Sequence, residues 1–438
     1  MTAPQIPNLF KVPELKEKIL FTLLCLVLYR VGAHIATPGV NVQAMADFVQ
    51  NAGQGTLFSL YDLFAGGGFS RATVFALGIM PYISASIVFQ LAGPVFPVIE
   101  KMQRDEEGRK RLTQWTRYLT VVLCLFQAYG FAIFAETAIA GAVAAPGWAF
   151  RMTTVLTLTT GGVFIMWLGE QITERGIGNG MSLLIFFSIV ERILPETLRT
   201  IEALQARSLT FPKLLAVLVV MVFVVAGTVA VTVAARRIPI QIPRKVMGRG
   251  RIREGQKTFI PLRINSSGVM PLIFAQSLII VPGTVATFSG VPWLKQLAEY
   301  FNVTSPVYLI SSAVLIVFFA YFYTSIIFNP VDLAENLKKQ GGFIPGVKPG
   351  AATADYIDDV LSRITLPGAV FLAAVAMLPI LVSNILNMPF GFGGTALLIV
   401  VGVALDTVQQ VQQHLLLRHY DGFMKEGRVK FRGRQRYM

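Results

Sequence analysis

The side chains best suited to metal binding or redox chemistry are few in this sequence. The three histidines, His34, His414 and His419, match no metal-ligand pattern, whereas a metal site needs several ligands at defined intervals. Cys25 and Cys124 both lie inside apolar runs, where a thiol usually serves as a small hydrophobic side chain. We therefore expect no metal site and no disulfide.

Patterns typical of catalysis are equally weak. The sequence contains no evident pairing of a nucleophile with a base, which covalent or acid–base catalysis requires. The segment GFGGTA, which begins at Gly391, has the letters of a dinucleotide-binding loop. It opens an apolar stretch, however, and does not follow a strand. We expect a protein that is not an enzyme and that carries no cofactor.

The composition is that of a membrane protein. Hydrophobic residues make up 54% of the 438 residues, charged residues make up 14%, and the mean hydropathy is +0.61. Apolar runs recur near the ~20 residues that cross a hydrocarbon core. The first run, 19–35, is longer than the core of a signal peptide, and no clear small-residue cleavage site follows it. We expect it to be retained as the first span.

Basic residues predict which loops are cytoplasmic. The net charge is +14, and Lys and Arg concentrate in segments that the positive-inside rule assigns to the cytoplasm. Neighbouring cytoplasmic segments must be separated by an even number of crossings. The short run 181–194, interrupted by Glu191 and Arg192, is therefore required as a fifth span, and both termini are predicted to be cytoplasmic. The basic segments are 11–18, 101–117, Arg175, 236–263, 338–363 and 418–436. The predicted spans are 19–36, 72–92, 118–135, 153–168, 181–194, 214–235, 269–288, 307–328, 366–386 and 395–411.

Two of these spans repeat one short pattern: Gly, a β-branched residue, Met, Pro, any residue, Ile. The pattern begins at Gly78 in the second span and at Gly268 in the seventh. A repeat of five spans is odd, so the halves 1–205 and 206–438 must have inverted topology, which places a functional site at their interface. The alternative is that Gly and Pro are simply common in membrane helices. The predicted fold is an all-α polytopic membrane protein with ten transmembrane helices in two inverted five-helix halves.

Residues 56–65, which read TLFSLYDLFA, fit neither neighbouring span. They are apolar but only about half as long as a crossing requires, and Gly66, Gly67 and Gly68 follow directly. Irregular backbone at membrane depth must be enclosed by protein or face a water-filled cavity. We predict a re-entrant half-helix over about 56–68, inside the bundle on its outer side. A helix lying on the outer membrane surface is the alternative.

The loop 236–264 is predicted to form a basic finger. Ile238, Ile240 and Ile242 alternate with other residues, and 258–264 alternates again after the glycine-rich turn 247–250. This pattern predicts two strands with prolines at their edges. The basic residues near its tip are Arg244, Lys245, Arg249, Arg251, Arg253 and Lys257.

The loop 329–363 is the second predicted projection, and the tail 414–438 is also basic. The loop is predicted to contain a helix over 331–339, a rigid Gly/Pro turn over 341–350 and a second helix over 353–364. Basic projections can bind RNA phosphates or acidic protein faces. Membrane topology alone also enriches Lys and Arg here, but the Gly/Pro architecture favours docking.

Five motifs in order carry a resemblance to a known family. They are LGIMPYISASI from Leu77, ERGIGNGMS from Glu174, NSSGVMP from Asn265, GGFIPGVKPG from Gly341 and FGGTALLIVVGVALD from Phe392. Together they resemble the SecY family, the central subunits of the bacterial protein-translocation channel. One position departs from the family: Lys348 stands where relatives usually have Arg. Lys lacks the paired donors of Arg, so a bidentate contact at that position would differ.

The resemblance implies a channel that moves unfolded secretory polypeptides across the cytoplasmic membrane and releases hydrophobic segments laterally into it. Cargo of any sequence calls for an apolar constriction that can dewet. The implied pore ring is Ile79, Ile83, Ile185, Ile189, Ile273 and Ile399. The implied plug residues are Leu57, Phe58, Leu60, Tyr61, Leu63, Phe64, Gly66 and Gly67. The implied lateral gate is Ser84, Ile87, Gln90, Ser277 and Val281, with Ser84 facing Val281. The docking residues would be those of the finger tip together with Lys348. For any single isoleucine, ordinary packing or lipid contact is the alternative, even where two share a helical face.

The resemblance also implies partners. These are the subunits SecE and SecG, the SecA motor or the ribosome on the basic loops, and the surrounding lipids. An inverted-repeat secondary transporter is the alternative function. Such a protein normally places ionisable groups near the membrane midplane. Here the acids are near the ends of predicted spans: Glu136, Glu170, Glu191, Asp332 and Asp406.

Overall fold

The computed structural model describes residues 13–51, 57–139, 141–206, 209–241, 245–247, 251–253, 257–288, 302–303, 305–386 and 394–426. Helices dominate this part of the chain. They are α1 (Pro13–Gly32), α2 (Val42–Asn51), α3 (Leu57–Phe64), α4 (Met80–Val95), α5 (Pro97–Arg104), α6 (Glu106–Ala138), α7 (Trp148–Arg175), α8 (Gly180–Gln205), α9 (Phe211–Val233), α10 (Met270–Phe288), α11 (Pro306–Ile327), α12 (Pro330–Lys339), α13 (Ala351–Leu386) and α14 (Gly394–Glu426). The strands are β1 (Ala235–Gln241), β2 (Lys245–Met247), β3 (Arg251–Arg253) and β4 (Lys257–Arg263).

Each of the ten predicted spans overlaps one helix. Among the described residues, six helices are long and apolar enough to cross a membrane: α6, α7, α9, α11, α13 and α14. The pair α4 and α5, bent by 109°, counts as a seventh if the two are one broken span. The remaining predicted spans fall on α1 and α8, which carry charged residues, and on α10, which has 19 residues. The fold is an all-α polytopic membrane protein, as predicted.

Among the boundaries that differ from the prediction, three change how the chain is divided. Turns occupy residues 65–79, so α4 begins at Met80 and the predicted second span is partly wrong. The helix α8 continues through Pro195 to Gln205, well past the predicted 194. The predicted helix 353–364 and the ninth span form one helix, α13, which runs through Pro367 and Pro379. Proline removes a single N–H donor, and neighbouring groups can satisfy the freed carbonyl, so it does not have to end a membrane helix.

The repeated Gly-x-Met-Pro pattern has the same local structure in both halves. Gly78 has φ +56° and Gly268 has φ +62°, and each lies two residues before the Met that begins its helix. Side chains disfavour this left-handed region by about 1–2 kcal/mol, which explains glycine at both places. The next residue, Pro81 or Pro271, lies in the first turn of its helix, where a missing N–H costs little. The two matching helices, α4 and α10, pack against each other.

The main hydrophobic core joins the two halves. It contains buried residues of α3, α4, α8, α10 and α14, together with the turns that follow α3. By contrast, α9 has only three buried residues, Val224, Thr228 and Thr232. The helices that carry the predicted functional residues therefore form this core.

The predicted finger is a hairpin with two ladders. Strand β1 pairs antiparallel with β4, and β2 pairs with β3 nearer the tip. Ile238 and Ile240 are buried in a second, smaller core with residues of α12 and α13. Gln241 and Phe343 exchange backbone hydrogen bonds of 2.9 and 3.0 Å, which tie the finger to the next loop. The two predicted projections are thus one module with its own core. Ile242 lies outside the described residues.

Candidate functional site

The six isoleucines of the predicted ring lie in one buried cluster. None of them is more than 4% exposed, and all belong to the main core. Ile83 is on α4, Ile185 and Ile189 are on α8, Ile273 is on α10 and Ile399 is on α14. Ile79 precedes α4 as its cap, and its carbonyl accepts a hydrogen bond from the Ile83 N–H at 3.2 Å. Four helices therefore contribute these isoleucines to the core that joins the halves, and Ile83, Ile185 and Ile273 line one cavity.

A cavity of about 310 Å³ lies on one side of these isoleucines. Ile83, Ile185 and Ile273 line it. Its other walls are the C-terminal end of α7, the N-terminal ends of α6, α8 and α10, and residues of α4 beyond Ile83. Arg117 and Glu170, whose Nε and Oε1 are 2.9 Å apart, make its mouth polar. By the predicted topology this is the cytoplasmic side.

The half-helix α3 lies on the opposite side, where α4 begins. It packs against α8 and α10, and Leu60, Tyr61, Leu63 and Phe64 are buried. Phe58 stacks against Phe134 with ring centroids 5.3 Å apart. Tyr61 donates a hydrogen bond of 3.1 Å from its hydroxyl to the Leu77 carbonyl. Leu57 is the first residue of α3. The segment is enclosed by protein, so it is a re-entrant half-helix and not a surface helix.

The chain turns sharply after α3. Gly66 and Gly67 have φ of +63° and +75°. A Cβ at Gly66 would lie 3.0 Å from both the Ser188 Oγ and the Tyr29 hydroxyl. Those two side-chain oxygens are themselves 2.8 Å apart. Glycine is required here because the backbone is left-handed and because α1 and α8 approach it closely.

Charged side chains connect α3 to α8, which the sequence analysis did not foresee. The Asp62 carboxylate is fully buried; its Oδ1 accepts a hydrogen bond from the Ser70 N–H at 2.8 Å. Its Oδ2 lies 3.2 Å from Nη2 of Arg192. The neighbouring Glu191 pairs with Arg30 of α1, and its Oε1 lies 3.8 Å from Nη2 of Arg71.

A sequence signal for this network existed. Asp62 interrupts an apolar segment, and an ionisable residue at membrane depth is a candidate functional residue by default. From the sequence, Glu191 and Arg192 were interpreted as interruptions of a span, and Glu191 also as an acid near a span end, but neither was paired with another residue. Two short helices, α2 and α5, also went unpredicted. They lie in loops, where the apolar signal used to find spans is weak.

The predicted gate residues lie on the two helices that begin with the repeated pattern. On α4, Ile87 is buried and Ser84 and Gln90 are half-buried; on α10, Ser277 is buried and Val281 is half-buried. The Ser277 Oγ lies 3.7 Å from the Met80 Sδ, a contact across the pair. Starting from that contact, Ser84 is one turn along α4 and Val281 is one turn along α10. In an antiparallel pair these two turns lie on opposite sides of that contact, so Met80 with Ser277 is the better position for a cross-link.

The predicted docking residues lie at the end of the finger or in the next loop. Lys245 is on β2 opposite Arg253, Arg251 is also on β3, and Lys257 begins β4. Arg244 and Arg249 lie outside the described residues. Lys348 is exposed in the Gly/Pro turn, and its carbonyl accepts a hydrogen bond of 2.8 Å from the Thr353 hydroxyl. Within the described ranges, no three His, Cys, Asp or Glu side chains converge, and both cysteines are buried thiols.

Comparisons with known proteins agree with this geometry. A model of the SecY family matches residues 73–408. The protein translocase subunit SecY of Thermus thermophilus is 43% identical over 431 residues, which cover 97% of this chain and 98% of that protein.

Two solved structures share the fold. One is a SecY structure in which the plug domain is described as stabilising the closed state of the translocation channel and maintaining a membrane seal. Its TM-score is 0.66 at 20% identity, and the match covers 98% of this chain and 100% of that chain. The second is Sec61 in the canine ribosome–channel complex, with a TM-score of 0.64 at 19% identity, covering 98% and 100%. The family model and the Thermus thermophilus relative are both of the protein translocase subunit SecY, so the transporter alternative is not favoured. The chain belongs to the SecY family and is the pore-forming subunit of a protein translocase.

Proposed function

We propose that this chain seals its closed pore with two layers, the isoleucine ring and the plug α3, and opens sideways between α4 and α10. Unfolded secretory polypeptides cross through the ring, and hydrophobic segments leave laterally into the cytoplasmic membrane, with both termini of the chain in the cytoplasm. The observation that carries the proposal is the position of the isoleucines. Ile83, Ile185 and Ile273 line the open cavity, and all six isoleucines belong to the buried core that also contains residues of the half-helix.

The chemistry of the ring suits cargo of any sequence. Branched apolar side chains offer no hydrogen bonds that would select one sequence, and an apolar constriction excludes water when it is empty. The plug adds a second barrier, whose packing against α8 and α10 must be exchanged for water when it leaves. A relative of known structure is described as having a plug domain with this sealing role.

The lateral opening is an equilibrium between two packings of α4 and α10. A hydrophobic signal segment favours the open packing if it binds that state better. The buried contact of Met80 with Ser277 belongs to the closed packing. Gln90 donates a hydrogen bond of 2.9 Å to Ser86 within α4, and its side chain also bonds with Tyr323 of α11. Opening would therefore exchange the contact of Gln90 with Tyr323 as well as the contact of Met80 with Ser277.

Partners complete the machine. We propose that SecE and SecG brace the exposed helices, of which α9 is the least buried by the chain itself. SecA or the ribosome docks on the finger and on the Lys348 turn, and the base of the finger shares one small core with the loop that contains this turn. A structural neighbour was solved in a ribosome–channel complex.

The path of the cargo tests this function. Photoreactive residues at Ile83, Ile185 and Ile273 should cross-link to a stalled secretory chain in the assembled complex. A photoreactive residue at Val222 of α9, which is 68% exposed on the outside of the bundle, is the matched control. Strong cross-links at the isoleucines and none at Val222 are expected. Equal cross-linking at all four positions, or none at the isoleucines, would contradict the pore.

A further inference from the structure

The plug carries a charge in a place where charges are costly. Asp62 faces neither water nor the cavity: its carboxylate is 1% exposed, and it lies on the face of α3 that packs on α8. A buried carboxylate is tolerated when it is paired and hydrogen-bonded. The hydrogen bond comes from Ser70 in the turn directly after α3, whereas the charge partner Arg192 belongs to α8, so Asp62 is paired only while α3 is seated.

The cation of this pair is in a different situation. Arg192 is 25% exposed, and its long side chain can reach water without leaving its helix. The arginine can therefore exist alone at little cost, whereas the seated aspartate cannot. Replacing Arg192 by a neutral residue leaves the buried charge of Asp62 without a partner, whereas replacing Asp62 leaves no buried charge unpaired.

The helix α8 fixes the arginine in position. One residue earlier, Glu191 pairs with Arg30 of α1 and approaches Arg71 of the turns after the plug. One turn earlier, Ser188 contacts Tyr29 beside the Gly66 hinge. Ser188 and Arg192 therefore lie on the same face of α8 and both meet the plug segment. The pair Asp62–Arg192 lies in a rigid setting that would hold α3 in one place.

We propose that Arg192 is a plug-positioning residue, and that its ion pair with Asp62 is a latch that makes the closed position of α3 depend on charge. When the plug leaves, Asp62 reaches water and needs no partner, so the displaced state does not depend on Arg192. The latch thus acts on the closed state alone. This inference rests on the sealing role proposed for α3.

The test measures resting ion conductance of the assembled complex in planar bilayers. Four variants are compared with the parent: R192Q, D62N, the double variant D62N/R192Q, and R151Q as the matched control. Arg151 pairs with Glu136 at 2.6 Å, and the Glu136 side chain is only 5% exposed. R151Q therefore also leaves a buried carboxylate without its cation, but this pair joins α6 to α7 and includes no residue of the plug.

The relative ion leak of the four variants distinguishes loss of the latch from a general loss of stability. R192Q should raise the leak at least about tenfold, because a lone buried carboxylate drives α3 out of its seat. D62N should raise it less, about two- to threefold, because the amide oxygen still accepts from Ser70 and no charge is stranded. The double variant should behave like D62N. R151Q should lower the melting temperature as R192Q does, with no increase in leak.

Deletion of the plug distinguishes failure of the latch from failure of the sealing role proposed for α3. If deletion of the plug raises the leak but R192Q does not, the latch is wrong and the plug stands. If deletion of the plug leaves the channel as tight as the parent, the sealing role of α3 itself is wrong. A double variant that leaks as much as R192Q, or an R151Q channel that leaks as much, would also overturn the latch.

Discussion

The segments before α4 and α10 occupy equivalent positions in the two halves but fold in different places, one inside the bundle and one outside it. Before α4, residues 57–79 fold into the bundle, and most of their side chains are buried. Before α10, the strands β1–β4 leave the bundle and form a module with α12 and α13. Both segments end in the same left-handed glycine, Gly78 or Gly268. Inverted topology puts them on opposite sides of the membrane.

The residues around Gly78 and Gly268 show what each of the two turns supports. A Cβ at Gly78 would lie 3.0 Å from the Cα of Ala65, directly after the plug. A Cβ at Gly268 would lie 3.2 Å from an Asp406 carboxylate oxygen on α14. The first turn therefore supports the plug, and the second packs α10 against a neighbouring helix. The same repeated turn serves sealing in one half and bracing in the other.

Removal of the plug should give the largest effect. A chain lacking residues 56–67 should still fold, because α3 is not a span, but its resting conductance should rise at least about tenfold, as expected when a closed state loses more than ~1.4 kcal/mol of preference. Secretion of a substrate with a defective signal sequence should also increase. A deletion variant with correct topology that is as tight to ions as the parent would contradict the sealing role of this segment.

Charge reversal should separate the finger from the first-half loop. Changing Arg249, Arg251 and Arg253 together to Glu should weaken SecA or ribosome binding about 10- to 100-fold at low salt and less at high salt, because surface charges act on encounter and docking. The control changes Arg104, Lys110 and Arg111, which are exposed in the first-half loop. Binding that is unchanged by the finger variant at low salt would remove the finger from docking.

The paired glycines should differ in what they damage. Gly78→Ala and Gly268→Ala should each cost about 1–2 kcal/mol of stability through the left-handed backbone. Only Gly78→Ala should also raise the ion leak, because its Cβ meets the backbone at Ala65, whereas the Asp406 side chain can move. Thermal unfolding and conductance of the two variants measure this. Equal leaks would mean that the turn before α4 does not support the plug.

Two buried tyrosines give the smallest and finest comparison. Tyr61 donates to the Leu77 carbonyl at 3.1 Å, and Tyr308 donates to the Gln276 Oε1 of α10 at 2.9 Å. Loss of either hydroxyl should cost roughly 1 kcal/mol. Tyr61→Phe should increase the leak slightly, and Tyr308→Phe should leave it unchanged. Leak from Tyr308→Phe that matches the leak from Tyr61→Phe would show that both act through global stability alone.

The sequence predicted the spans better than it predicted the seal. Spans and the finger follow from apolar periodicity and loop charge, which are local signals. The turns over 72–79 were mistaken for the start of the second span because buried turns and helices share an apolar composition. The pair of Asp62 with Arg192 joins residues far apart in the chain, so no local pattern reports it. The ring was inferred from a family resemblance, since single isoleucines give no signal that separates pore lining from packing.

The most direct test of the account locks α4 to α10. Met80→Cys with Ser277→Cys, made in a background with Cys25 and Cys124 replaced, uses a side-chain contact across the pair, 3.7 Å between Sδ and Oγ. A direct disulfide needs Cα atoms within about 7 Å, so a short cross-linker is included. The account predicts that linkage blocks translocation, that reduction restores it, and that single-cysteine variants are unaffected. Efficient cross-linking with undiminished translocation would contradict the gate.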